Sequence, residues 1–294
     1  QLQKAHALFP WIVTWDDHEV ADNYANDVSK KEDPRESFLE RRANAYQAYY
    51  EHMPLRRASL PRGSAALLYR RLAFGDLAEF SVLDTRQYRS DQPCGDGNKP
   101  QCPQALAATG TMLGPEQERW FFDGLRRSTR RWNIVAQQVL LAKVDRGPDN
   151  EAAYSMDQWS GYEVARNRVL HFLHEQRIVN PVVITGDIHS NWVADLKLDF
   201  ADTRSPAVGT EFVGTSITSG GDGSDTRPEV EAYLPKNPHV RFYNSQRGYV
   251  RCIVTPGKWQ SDYRVVDYVE KPGAGIKTRA SFVVESGRPG AQRA

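Results

Sequence analysis

The chain has 294 residues, 40% hydrophobic, 11% aromatic and 26% charged, a composition that supports a sizeable core and one large domain or two small ones. It excludes a disordered chain, and the lack of any long apolar run argues against a spanning helix. Lys and Arg total 38 against 37 Asp and Glu, a formal charge of +1, so no overall field exists to hold a nucleic-acid backbone or an anionic membrane, and any attraction for anions is local.

No targeting segment is readable from Gln1 onward, and the start reads as artificial or fragmentary. Residues 11–15, Trp-Ile-Val-Thr-Trp, predict a short strand buried on both faces that stops at Asp16-Asp-His-Glu. From about residue 34 to 52, Phe38, Leu39, Ala43, Tyr46 and Tyr50 recur at helical spacing, and Pro54 ends the pattern. Residues 67–74 and 77–83 read as two strands of a hairpin turning at Gly75-Asp76, the second delivering Asp84-Thr-Arg86. Residues 87–111 have no period and are rich in Gly, Pro and small polar side chains, which predicts a long loop of the kind that carries function. Gly114-Pro115 opens a helix through Leu125. Residues 133–141 read as a strand, 159–176 as a helix, and 181–185 as a fully buried strand ending in Gly186-Asp-Ile-His189. From residue 191 onward short strands dominate (192–198, 211–218, 249–254, 263–269 and 281–284), with no internal repeat, so the chain is expected to be one domain with a strand-rich part over about 191–294.

Cys94 and Cys102 bracket a turn-forming insert and are expected to be bridged in preference to remaining free, with Cys252 reduced and buried. Three cysteines make neither a Cys-rich zinc site nor a disulfide scaffold. The residue four after His18 is Asp22, so the helical zinc-protease motif fails. Ser64, Ser155 and Ser190 lack a nucleophile elbow, and there is no phosphate loop. Gly220-Gly-Asp-Gly223 reads as a turn rather than a phosphate cradle, and His171 and His174 as packing or surface residues of their helix. His6, His52 and His239 carry no spacing argument. What remains is a convergence of predicted strand ends: Asp16-Asp17-His18-Glu19, Asp84-Thr85-Arg86 and Gly186-Asp187-Ile188-His189. Ligands bind at such ends in covered sheets, and Asp and His there offer oxygen and imidazole to a metal, although one cluster alone is more simply a capped turn.

Thr14-Trp-Asp-Asp-His-Glu-Val-Ala-Asp-Asn-Tyr-Ala, Leu83-Asp-Thr-Arg-Gln-Tyr-Arg and Ile184-Thr-Gly-Asp-Ile-His-Ser, in this order, closely resemble the PhoD-like alkaline phosphatases of the calcineurin-like metallophosphatase superfamily. The resemblance implies an α/β fold of metallophosphatase type, an αββα sandwich of two mixed sheets flanked by helices. It also implies twin-arginine export, phosphate ester substrates of both monoester and diester type, and iron (Fe³⁺) with calcium (Ca²⁺) as cofactors. Carried over by position, Asp17, Asp187 and His189 are metal ligands and Asn23 a further oxygen ligand. His18 stands beside the leaving group and Arg86 touches the phosphoryl oxygens. Asp187 takes the place of a His in the superfamily pattern, which suits a harder metal. The family's Ser-Cys and Gly-Asp-Tyr segments have no counterpart before residue 17. The chain is therefore expected to be an N-terminally truncated, poorly active part of a phosphoesterase, or alternatively a secreted phosphate- or metal-binding module without catalysis.

Overall fold

A computed structural model describes residues 2–294; Gln1, where the reading placed an artificial start, lies outside them. Two sheets face each other. The first has seven strands in the order β1-β2-β4-β6-β8-β7-β9: β1 (Arg70–Phe74), β2 (Ala78–Val82), β4 (Trp132–Ala136), β6 (Pro181–Thr185), β8 (Ala207–Val213), β7 (Asn191–Lys197) and β9 (Val240–Asn244). The three inner pairs β2·β4, β4·β6 and β6·β8 are parallel, and β1, β7 and β9 join antiparallel. The second is an antiparallel meander of β10 (Gly248–Val254), β11 (Lys258–Val266), β12 (Ile276–Glu285) and β13 (Arg288–Arg293). A short ribbon pairs β3 (Asn98–Lys99) with β5 (Tyr154–Ser155).

Strand alternation explains the stacking, because successive side chains leave opposite faces of a sheet. Ile134, Val182, Val193 and Phe212 of the large sheet pack on Trp259, Tyr263, Phe282 and Val284 of the small one. Val135, Val183, Ala194 and Leu196 point the other way, into a core with Phe121 and Leu125 of α3 (Gly114–Arg127) and Val169, Leu170 and Leu173 of α4 (Glu163–Glu175). Gly114 sits at φ +68°, where an added Cβ would meet Tyr88 at 3.2 Å, so only glycine opens α3 without strain. The expected α/β fold of facing sheets with helices is what the chain adopts. No helix among the described residues is long and apolar enough to cross a membrane.

The expected strand at residues 11–15 does not form. Val13 and Trp15 are buried, but against the aromatic face of α2 (Arg35–His52) rather than in a sheet. Trp15 stacks on Tyr46 with ring centroids 4.0 Å apart and donates its indole N–H to Asp84 at 3.0 Å, while Trp11 and Ile12 stay exposed. The predicted 133–141 strand stops at Ala136, and 211–218 leaves the sheet after Val213. The 281–284 prediction falls within β12, whereas 263–269 overlaps only the end of β11, which stops at Val266. Helices α1 (Leu2–Leu8) and α5 (Pro228–Tyr233) and strands β9 and β13 were not anticipated. Cys94 and Cys102 are bridged as expected. Cys252 is free but exposed, a correction to the expected buried thiol: it lies on β10, whose partner β11 covers only one side of it.

Candidate functional site

The parallel strands β2, β4 and β6 end on one side of the large sheet, and the polar residues that follow them converge there with the segment after Trp15. A cleft of about 450 Å³ is lined by Asp16, Asp17, His18, Asn23, Asp157, Asp187 and His189, together with Gly214, Thr215 and Ser216. A larger hollow of about 710 Å³ under the disulfide loop has Asp91 as its one acidic lining residue and gathers no comparable cluster.

Asp17 is placed by a tight turn. Its backbone carbonyl accepts from the N–H groups of Val20 and Ala21, and its carboxylate from those of His18 and Asn23, both at 2.8 Å. Asp187 follows β6 at φ +66°, with His189 at +49° and Asn23 at +48°. Three non-glycine residues in this sparsely populated region line one cleft; all are of the Asn, Asp and His types that adopt it most readily, and six further non-glycine residues share it elsewhere among the described residues.

Carboxylate oxygens of Asp16, Asp17 and Asp187 all lie within 4.8 Å of one another, as do ligand atoms of Asp17, His18 and Asp22. The expected ligands Asp17 and Asp187 are thus brought together and joined by Asp16, which the reading did not single out. His189 and Asn23 line the cleft but belong to neither group. The Asn23 side-chain amide donates to Asp96 of the disulfide loop at 3.0 Å. His18 is exposed, its Nε2 3.8 Å from Asp17 and 3.9 Å from Asp22.

Arg86 occupies a different place from the one expected. It is fully buried beneath the carboxylates, where Nε meets Asp16 at 2.6 Å, Nη1 meets Asp157 at 2.9 and 3.1 Å, and Nη2 meets Asp187 at 2.8 Å. A planar fork serves this arrangement, and Lys, a point charge, would not. Asp157 is further bound by Arg89 at 2.7 Å and by Gln92 at 3.0 Å. Gln158 donates to Asp187 at 2.7 Å and accepts from the N–H of Leu140. Asp84 does not reach the cleft; it caps the N–H groups of Arg86 and Gln87 at 3.0 and 2.9 Å.

The electrostatics follow from burial. Burial, and then the charge of Asp16, push the Asp187 carboxyl well above its ordinary range despite Arg86. Burial also works against the Asp157 carboxylate, but Arg89 and Arg86 overcome it and hold that group below the usual range. Burial, followed by the charges of Arg247 and His18, keeps His189 below the ordinary imidazole value, so its ring is neutral at neutral pH. No sequence pattern marks Asp157 or Gln158: they follow the two-residue strand β5 inside a loop.

Residues 1–263 match the family model of the PhoD-like phosphatases. Alkaline phosphatase D of Bacillus subtilis (strain 168) is 52% identical over 292 residues, covering 99% of this chain and 50% of that protein. A solved structure described as that of PhoD superposes with a TM-score of 0.97 at 52% identity, covering 100% of this chain and 56% of that one. The chain spans about half the length of the relatives it matches.

Proposed function

We propose, from the premise that this chain belongs to the PhoD-like phosphatase family, that its cleft hydrolyses phosphomonoesters and phosphodiesters with iron and calcium bound. The observation that carries this reading is the gathering of three carboxylates, Asp16, Asp17 and Asp187, from two distant segments onto one point. An all-oxygen donor set suits hard cations such as Ca²⁺ and Fe³⁺. Asp17 and Asp187 would hold the metal, Asp16 would complete the carboxylate face, and Asn23 and His189 would reach it from the rims. Bound there, the cations would supply positive charge for the phosphoryl oxygens and make hydroxide available near neutral pH as the nucleophile.

The chain's own residues do the rest. Arg86 touches no solvent, so its part is to hold Asp16, Asp157 and Asp187 in mutual register rather than to contact the ester. To His18, exposed and beside both Asp17 and Asp22, we assign the hydrogen bond to the leaving oxygen and the proton that oxygen takes up. Positioning and electrostatics provide most of the rate in phosphoryl transfer. We place the protein in an exported, oxidising compartment on the strength of the Cys94–Cys102 bridge.

Metal analysis of the purified chain, combined with assay of bis(4-nitrophenyl) phosphate and 4-nitrophenyl phosphate, tests the proposal. Bound iron or calcium with slow, metal-dependent turnover is the expected result. Bound metal without turnover of either ester would assign the chain to a binding module instead.

A further inference from the structure

The residues that line the cleft differ in kind. Every acidic side chain that lines it comes from the segments around Asp16, Asp157 and Asp187, whereas Gly214, Thr215 and Ser216 present a glycine and two hydroxyls and no charge. This uncharged wall is built on a second buried arginine. Arg247 is fully buried, and its Nη1 meets the His189 carbonyl at 2.8 Å, Ser216 Oγ at 2.6 Å and the Ser219 carbonyl at 3.0 Å, while Nη2 meets the Ser245 carbonyl at 2.7 Å. One guanidinium therefore ties together three loops: those after β6, after β8 and between β9 and β10. Gly223, at φ +74°, makes room for it, since a Cβ there would fall 2.0 Å from the Ser245 carbonyl and 2.8 Å from Arg247 Nη2. On its other side the wall is pinned by the Thr215 N–H donating to Asn191 at 3.1 Å.

Of the two hydroxyls, Ser216 spends its proton on the Ser219 carbonyl at 2.7 Å. Thr215 Oγ1 meets only Arg247 Nη1, at 3.4 Å, as an acceptor, and its proton has no partner among the described residues. The cations that the acidic residues would hold would draw the charged oxygens of a phosphate ester, and Gly214 to Ser216 offer its uncharged part a stretch of the lining without charge. The geometry points to this wall as the subsite for the second alcohol substituent of a phosphodiester, with Thr215 as the hydrogen-bond donor to that substituent and Arg247 as the positioning residue that fixes it. The inference rests on the phosphoesterase reading and makes diesters with an uncharged, oxygen-bearing second group the favoured substrate class.

Binding and turnover are measured on the metal-loaded full chain, with diethyl phosphate and inorganic phosphate as calorimetric probes and the two nitrophenyl esters as substrates. Thr215→Val, which keeps the shape and removes the donor, is expected to weaken diethyl phosphate about tenfold more than inorganic phosphate, and to lower the diester-to-monoester ratio of kcat/KM by a similar factor. Thr215→Ser is expected to restore both, and Arg247→Lys to reproduce the Val phenotype. Equal weakening of both probes, no change in either, or no binding of either by the wild type would overturn the subsite. Wild-type binding without hydrolysis would instead refute the phosphoesterase reading while leaving the calorimetric comparison decisive for the wall. If Arg247→Lys fails to fold, the Thr215 pair decides alone.

Discussion

Glu211→Gln is expected to change how stability depends on pH more than it changes stability itself. Glu211 lies on β8 inside the core with no exposure, and its carboxylate accepts from Thr185 Oγ1 at 2.6 Å and from the N–H groups of Leu141 and Ala142 at 2.9 and 2.8 Å. Burial outweighs these bonds and pushes its pKa from 4.5 up to about 7. The folded chain therefore holds a proton between about pH 4.5 and 7 that the unfolded chain releases, so the stability from this group is fully present below 4.5 and is lost as pH rises through 7. A displacement of that size corresponds to about 3 kcal/mol. Gln resembles the protonated acid at every pH, so whatever constant cost the amide brings, it loses nothing on the alkaline side. Thermal scans of wild type and variant at pH 5, 6, 7 and 8, at one scan rate and equal metal content, are expected to show the difference in Tm moving toward the variant by roughly 5–10 °C from pH 5 to pH 8. A difference that is the same at pH 5 and pH 8 would refute the argument, because it would mean that Glu211 has the same proton occupancy folded and unfolded.

Three further outcomes follow from the site. Asp17→Ala and Asp187→Ala are each expected to lose bound metal by elemental analysis, whereas His18→Ala is expected to keep it and lose about 10² to 10⁴ in rate; near-full diester turnover by the His18 variant would remove its assigned role. Arg86→Lys keeps the charge but spans at most part of the three-carboxylate set, and is expected to weaken metal affinity about 10- to 100-fold in a chelator competition; unchanged affinity would show that the carboxylates hold their places unaided. Non-reducing peptide mapping is expected to recover Cys94 linked to Cys102, and replacing both by Ser to cost about 2–3 kcal/mol in urea unfolding, given a loop closed over a separation of 8; alkylation of both thiols in the native protein would contradict the bridge.

What was legible in the sequence is what rests on periodicity. Helix α2, the β1–β2 hairpin, α3, α4 and β6 stand within a few residues of their predicted positions because each buries one face, or both, against a neighbour the pattern implies. Residues 11–15 misled because an apolar, aromatic run is equally well buried by aromatic side chains of a helix as by a sheet, and Tyr46 supplies that partner. Strand β13, Arg-Pro-Gly-Ala-Gln-Arg, has no apolar alternation at all and is held by its backbone bonds to β12 and by Asp195, which accepts the Ala291 N–H at 2.9 Å. In the site, Asp17, Asp187 and His18 were readable from motifs. The counterions were not, because nothing local marks a residue whose meaning is another residue's charge: Asp157 matters only because Arg86 and Arg89 fold against it.

That charge arrangement is the electrostatic ground for assigning Asp187 to the proposed cation. Two guanidiniums, Arg86 and Arg89, face four carboxylates, Asp16, Asp17, Asp157 and Asp187, in and under one wall. The arginines are spent mainly on Asp157, which stays ionised, and the surplus negative charge falls on Asp187, where burial makes it costly. A proton answers that surplus only where the solution is acidic enough to supply it, whereas a hard cation answers it across the alkaline range as well. The fold thus concentrates, at the end of its most buried parallel strands, a negative charge that its own basic residues leave uncompensated; the proposed metal ions would neutralise it, and a phosphate ester would then meet cations rather than carboxylates on that wall.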